Sequence, residues 1–280
     1  MPPAVRPPAV AGRFYPGDPG ELEAAVRAFL DEASEADGPS AFAGHSAPVA
    51  LVAPHAGYLY SGPVAGSAYA LVRGSPGFRR VVLLGPSHYV SFRGLALPEC
   101  EAFSTPLGEH AVDAGGAREL SAHPAVRRWA RPHGDEHSLE VQIPFLRVAL
   151  GALPILPLVT GDARPEEVAD VLDLVWTADT LVVVSSDLSH YLPYDEARRV
   201  DADTAAAVES LDIDAVAPHR ACGAVALRGL MVAARRRGLE ARCVDLRSSG
   251  DTASGRHGPR GRVVGYGAFG FRERETADLH

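Results

Sequence analysis

Lysine is absent, and all 27 basic residues are arginine. That one gap excludes Schiff-base and pyridoxal-phosphate lysines and the lysine of a P-loop. Cysteine is scarce. Cys100, Cys222 and Cys243 make an odd number in a chain of 280 residues, which argues against a disulfide framework and for reduced thiols. No apolar run approaches the ~20 residues of a membrane helix, and Met1–Arg6 lacks the hydrophobic region of a signal peptide. The expected compartment is therefore the cytoplasm. Basic charge is also in deficit. A net charge of −8 offers no basic face to nucleic acid or an anionic membrane. No Gly-x-Ser-x-Gly elbow supports a serine hydrolase. Gly265–Gly270 is glycine-rich but lies in a strand pattern, so it is not a dinucleotide fingerprint.

What is present is an ordinary globular composition, 46% hydrophobic and 22% charged, with length enough for one sizeable core. Three apolar runs share one design. Val49–Ala53 leads into Pro54-His55, Val81–Leu84 into Gly85-Pro86-Ser87-His88, and Leu181–Val184 into Ser185-Ser186-Asp187-Leu188-Ser189-His190. Short valine-rich runs of this kind read as strands buried on both faces. Each then delivers a histidine just past its C-terminal end, the edge where open α/β sheets bind ligands. If the strands are parallel neighbours, the three imidazoles meet in one crevice.

Along the chain, Pro2–Pro16 reads as an extended segment over the surface, with Phe14 and Tyr15 available to pack against the body. Asp18-Pro19 starts a helix, and Glu35–Ser46 is a surface loop. Gly57–Gly62 reads as a loop before a helix over Pro63–Val72. A hairpin is expected around Ala102–Gly108, and Ala111–Leu120 is helical in character. Leu139–Leu150 has helical spacing with a kink at Pro144. The prolines of Leu153–Val159 suggest a short strand at an edge or in an irregular position. Helices follow at Arg164–Trp176, Asp195–Ser210 and Ala224–Arg237, with a strand at Ala241–Leu246. Ser248–Gly261 is a loop, Arg262–Phe271 a last strand and residues 272–280 a flexible tail. Strands alternating with helices make a single α/β domain of three layers around a mixed, mostly parallel sheet.

Neutral imidazole is the commonest metal ligand. Cys222 has two readings, an inert buried hydrophobe or, near the start of a helix, a low-pKa thiolate and soft third ligand. Asp187 is the alternative third ligand, completing a two-His-one-carboxylate iron site. Glu136 and Glu140 are candidates to orient a histidine. His110, His123, His133, His219, His257 and His280 read as surface residues, and Cys100 and Cys243 as filler.

Pro54-His55-Ala56-Gly57-Tyr58, Gly85-Pro86-Ser87-His88, Glu136-His137-Ser138-Leu139-Glu140, Ser185–His190, Ala221-Cys222-Gly223, Ser249-Gly250-Asp251 and Arg262–Tyr266 together resemble the Memo family. Its bacterial and archaeal members are known as AmmeMemoRadiSam system protein B. The likeness runs from about Ala11 to Phe271. It implies a fold like that of class III extradiol (LigB-type) non-haem iron dioxygenases, with His55, His88 and Cys222 as metal ligands. It makes His190 the counterpart of the dioxygenases' catalytic histidine, Asp187 its neighbour and His137 a further pocket residue. Where those enzymes carry a glutamate ligand, this chain has Cys222. The expected cofactor is therefore iron (Fe2+) or copper (Cu+), ahead of zinc. The expected function is redox chemistry on a small molecule, with a functional link to a radical-SAM protein. The alternatives are a metal- or peptide-binding protein without turnover and a zinc hydrolase.

Overall fold

The computed structural model describes residues 4–35, 47–252 and 261–274. In chain order the elements are β1 (Val5–Arg6), α1 (Pro19–Glu35), β2 (Ala50–Ala53), α2 (Tyr58–Ala70), β3 (Arg80–Pro86), β4 (Leu95–Leu97), β5 (Ala102–Thr105) and β6 (Gly108–Ala111). Next come α3 (Ala114–Leu120), β7 (Val126–Arg128), α4 (Ile143–Leu150), β8 (Ile155–Thr160), α5 (Pro165–Val175), β9 (Thr180–Ser185) and β10 (His190–Pro193). The chain closes with α6 (Tyr194–Glu209), α7 (Ala224–Arg236), β11 (Leu239–Ser248), α8 (Ser249–Thr252) and β12 (Arg262–Glu273).

The main sheet runs β10-β12-β2-β9-β3-β8-β4-β7, with β11 also on β12. Its centre, β2, β9, β3 and β8, is parallel, while β12 and β4 join it antiparallel. Side chains alternate across a strand, and here both faces are buried. Val82, Leu84, Val182 and Val184 pack with α5 and α7. Val81, Leu83, Leu181 and Val183 pack with α1, α2 and α4 on the other side. The result is the expected three-layer α/β domain with a mixed sheet. A small sheet, β1-β5-β6, carries the expected hairpin. Among the described residues, no helix is long and apolar enough to cross a membrane.

Several expectations are corrected. β8 is an interior strand, buried throughout between β3 and β4. Pro157 is tolerated because β4 pairs with β8 only at Val159 and Thr160, so the missing N–H interrupts no ladder there. Pro144 does not kink α4 but sits in its first turn, where a backbone N–H has no intrahelical partner. Gly57–Gly62 is no loop, since α2 begins at Tyr58. Gly62 is there for packing, because a Cβ on it would lie 2.5 Å from the Phe29 ring of α1. The N-terminal segment does not merely cover the surface, since Arg6, Val10 and Tyr15 are buried. His110 and His133 are also buried. Arg272 and Glu273 belong to β12 rather than to a tail, and Ser249–Thr252 is helical. The expected loop at 36–46, His257 and the chain from 275 onward lie outside the described residues.

Candidate metal centre

Because β2, β9 and β3 are parallel neighbours, their C-terminal ends share one edge. His55 follows β2 by two residues and His88 follows β3 by two. The turn between β9 and β10 carries Ser186 and Asp187 between them. Cys222 comes from the loop before α7 and is docked onto that turn. The Gly223 N–H donates to Ser186 Oγ at 2.9 Å, and the Cys222 N–H donates to the Asp187 carbonyl at 3.2 Å. Residue 223 must be glycine for this approach, since a Cβ would lie 2.7 Å from that of Ser186.

The outcome is a cluster of donors. One ring nitrogen each from His55 and His88 and the Cys222 sulfur lie within 4.8 Å of one another. His55 Nε2 is 3.3 Å from Cys222 Sγ. Two imidazoles and a thiol form a donor set suited to Cu(I), Fe(II) or zinc, so the residues fit a soft or borderline metal.

Carboxylates brace this cluster from outside. Glu136 accepts from His88 Nδ1 at 2.8 Å and from the His88 backbone N–H at 2.6 Å. It also accepts the N–H groups of His137 and Ser138. Burial alone would raise its pKa, but these bonds hold it down at about 2. Burial opposes a charge on His88 too, yet Glu136 outweighs it and the His88 pKa is raised. With Nδ1 given to Glu136, His88 has Nε2 left for a ligand role. Asp187 acts on His55, accepting its backbone N–H at 2.8 Å, and it joins neither cluster of candidate ligands.

His88, Glu136 and His137 make a second group of possible donors. His137 stacks on His88 with ring centroids 4.7 Å apart and receives Phe14 on its edge. The bonds already made by Glu136 suit it to orienting His88 rather than to ligation. His190 opens β10 and is exposed; it stands outside the donor cluster but influences the charge of both His55 and Asp187. A cleft of about 500 Å³, lined by His88, Tyr89, Phe92, Asp162, Cys222 and Val225, opens beside the cluster.

One electrostatic expectation is corrected. Cys222 is not a low-pKa thiolate in the metal-free protein, because burial and the nearby Asp187 push its thiol well up. α7 starts only at Ala224, and its N-terminal field does not compensate for desolvation.

Residues that sequence reasoning passed over support the site. Ser185 bonds His55, Gln142 bonds Ser185, and Asp201 of α6 takes both the backbone N–H and the hydroxyl of Ser189, next to His190. No local pattern marks these roles. Their roles arise from separations of 43 or 130 residues for the first two bonds.

The buried histidines set an acid limit. Burial first, and then neighbouring positive imidazole or guanidinium, lowers His55 and His133 to about 3 and His137 to about 4. Each binds its proton more readily in the unfolded chain, so its contribution is full above about pH 6.5 and is lost as pH falls toward the folded pKa. The metal-free protein is expected to lose stability from about pH 6.5 downward, at up to about 1.4 kcal/mol per pH unit for each such group. His88 opposes part of the loss. Urea unfolding across this range checks it, and a flat profile would contradict it.

Fold and geometry together define a class, a three-layer α/β protein with a candidate two-histidine, one-cysteine centre at the ends of parallel strands. The family model for Memo-like proteins matches residues 6–269. A MEMO1 family protein of Archaeoglobus fulgidus is 33% identical over 96% of this chain and 100% of its own. Others from Methanopyrus kandleri and Aquifex aeolicus are each 34% identical, over 95% and 94% of this chain and 99% and 97% of theirs. The chain belongs to the Memo family. Among solved structures, an uncharacterized protein of Escherichia coli K12 aligns over 78% of this chain and 98% of its own, with 15% identity and a TM-score of 0.47.

Proposed function

We propose that the protein is a metal-dependent redox protein that holds one iron or copper ion on His55, His88 and Cys222. The reading is carried by one observation, the convergence of two imidazole nitrogens and a thiol within 4.8 Å at the sheet edge. The metal, when bound, supplies one-electron chemistry and polarises an oxygen-containing substrate in the cleft. Around it this chain's own residues do the rest. His190, exposed at the start of β10, exchanges a proton between solvent and substrate. Asp187, buried and with its pKa raised chiefly by burial, interacts electrostatically with that imidazole and holds the His55 backbone. His137, kept neutral by burial, stacks on His88 and packs against Phe14, so that it steadies the ligand ring. The substrate is a small organic or oxygen-derived molecule.

A second reading, ligand or peptide binding without turnover, is favoured by exposed apolar side chains that follow the three histidines closely in the chain. Leu59, Tyr89 and Tyr191 are 56%, 63% and 66% exposed and stand four, one and one residues after His55, His88 and His190. Anaerobic purification with metal analysis, then oxygen-consumption assays, separates the readings. Iron or copper with turnover supports the redox protein. Bound metal without turnover, together with peptide binding, supports the second reading, and zinc with hydrolysis overturns both.

Two substitutions separate the roles. His55→Ala is expected to lose the metal. His190→Gln is expected to keep most of it while any turnover falls roughly 100-fold. Equal metal loss in both variants would make His190 a ligand.

A further inference from the structure

The position of the proton on His55 follows from groups that can only accept. Gln142 is fully buried, with Tyr69 Oη 2.9 Å from Oε1 and the Pro54 carbonyl 2.9 Å from Nε2. A carbonyl oxygen accepts and never donates, so the amide nitrogen has to face Pro54. Its other hydrogen then goes to Ser185 Oγ, 2.8 Å away. Ser185 Oγ lies 2.6 Å from the Ser138 carbonyl, which can also only accept. The single hydroxyl hydrogen is therefore directed at Ser138. The remaining two positions on the Ser185 oxygen are acceptors, one facing Gln142 and the other His55 Nδ1 at 2.9 Å. His55 Nδ1 must donate. A neutral imidazole has one hydrogen, so Nε2 is left with a bare lone pair, 3.3 Å from Cys222 Sγ.

We propose that Gln142 and Ser185 form a positioning relay that locks His55 in its Nδ1–H tautomer and presents Nε2 as a donor beside Cys222. The relay is anchored on the backbone carbonyls of Pro54 and Ser138, and all its side chains are buried. It costs no reorganisation when a ligand arrives. Without it the buried ring has no fixed acceptor for Nδ1–H, and its proton is free to move to Nε2, where it blocks ligation. The relay deepens the metal-site reading and rests on it for the effect on affinity, whereas the tautomer is a property of the metal-free protein.

The test uses full-length, metal-free, ¹⁵N-labelled protein. Long-range ¹H–¹⁵N NMR is expected to show a protonated Nδ1 and an unprotonated Nε2 for His55. In Ser185→Ala the ring is expected to populate the Nε2–H form, and anaerobic Cu(I) affinity to fall about 10–100-fold. Ser185→Thr retains the hydroxyl and is expected to restore both. Gln142→Met, which keeps the length and removes the donor, is expected to move the tautomer in the same direction by less. A wild-type ring protonated at Nε2 overturns the proposal, as does a folded Ser185→Ala protein with the wild-type tautomer. If Ser185→Ala fails to fold, the wild-type spectrum and Gln142→Met still decide. Absence of Cu(I) binding by the wild type would count against the metal reading alone, because the tautomer is measured without metal.

Discussion

Cys222→Ser is expected to weaken anaerobic Cu(I) binding by more than the ~100-fold that loss of an outer partner costs, and Fe(II) binding by less. The reason is the donor itself. A thiolate is soft and polarizable, whereas a serine hydroxyl is hard and stays protonated at neutral pH. The serine fits the same space, because the sulfur sits among Asp187, Ser186 and His55 and the docking bonds of this turn come from backbone N–H groups. Cys222→Glu would present a carboxylate with the two histidines and is expected to shift preference toward Fe(II). In the wild type, the half-buried thiol, its pKa raised by desolvation, must give up its proton to the solvent when metal binds, so affinity is expected to rise with pH. Oxidation of the sulfur is expected to release the metal. Anaerobic titration of both metals against the three proteins measures all of this. Affinity indifferent to residue 222 would make the cysteine structural.

Glu140→Gln is expected to destabilise the fold by about 3–5 kcal/mol, the usual consequence of removing one partner of a buried ion pair. Glu140 is completely buried and pairs with Arg6 at 2.7 Å. It also accepts the Ala9 and Val10 N–H groups and the Tyr15 hydroxyl. Arg6 in turn donates to the carbonyls of His133, Gly134 and Glu136. One carboxylate thus ties the N-terminal segment to the loop that carries Glu136 and His137. With glutamine in its place Arg6 keeps a buried charge without a counter-ion. Denaturant unfolding gives the size, and a loss below ~1 kcal/mol, the level of an exposed pair, would show that the pair is not buried in solution. A weaker hold on the Glu136 loop is also expected to lower metal affinity through His88.

β2, β3 and β9 were legible because a strand buried on both faces needs a continuous apolar run, and the polar residue that ends it marks the sheet edge. The proline readings failed at Pro144 and Pro157. Proline forbids only the one hydrogen bond its nitrogen would donate, and whether that bond was needed depends on neighbours distant in the chain. The surface assignment of His110 and His133 failed for a similar reason. A polar residue in a loop is buried when other elements close over it, as Ala96 does by accepting from His133 Nε2 at 2.9 Å.

By itself the sequence determined the α/β layering, the three histidines after apolar runs, and Cys222 as a candidate ligand. These follow from local rules, side-chain periodicity and donor chemistry, which act over a few residues. Only the tertiary structure decided that β2, β9 and β3 lie side by side and that Cys222 Sγ meets His55 Nε2. It alone showed that the half-buried sulfur lies where desolvation raises its pKa, that Glu136 bears on His88, and that Gln142 and Ser185 line up behind His55. Those are matters of distance, desolvation and hydrogen-bond direction between residues far apart in the chain, and they exist only once the sheet has been assembled.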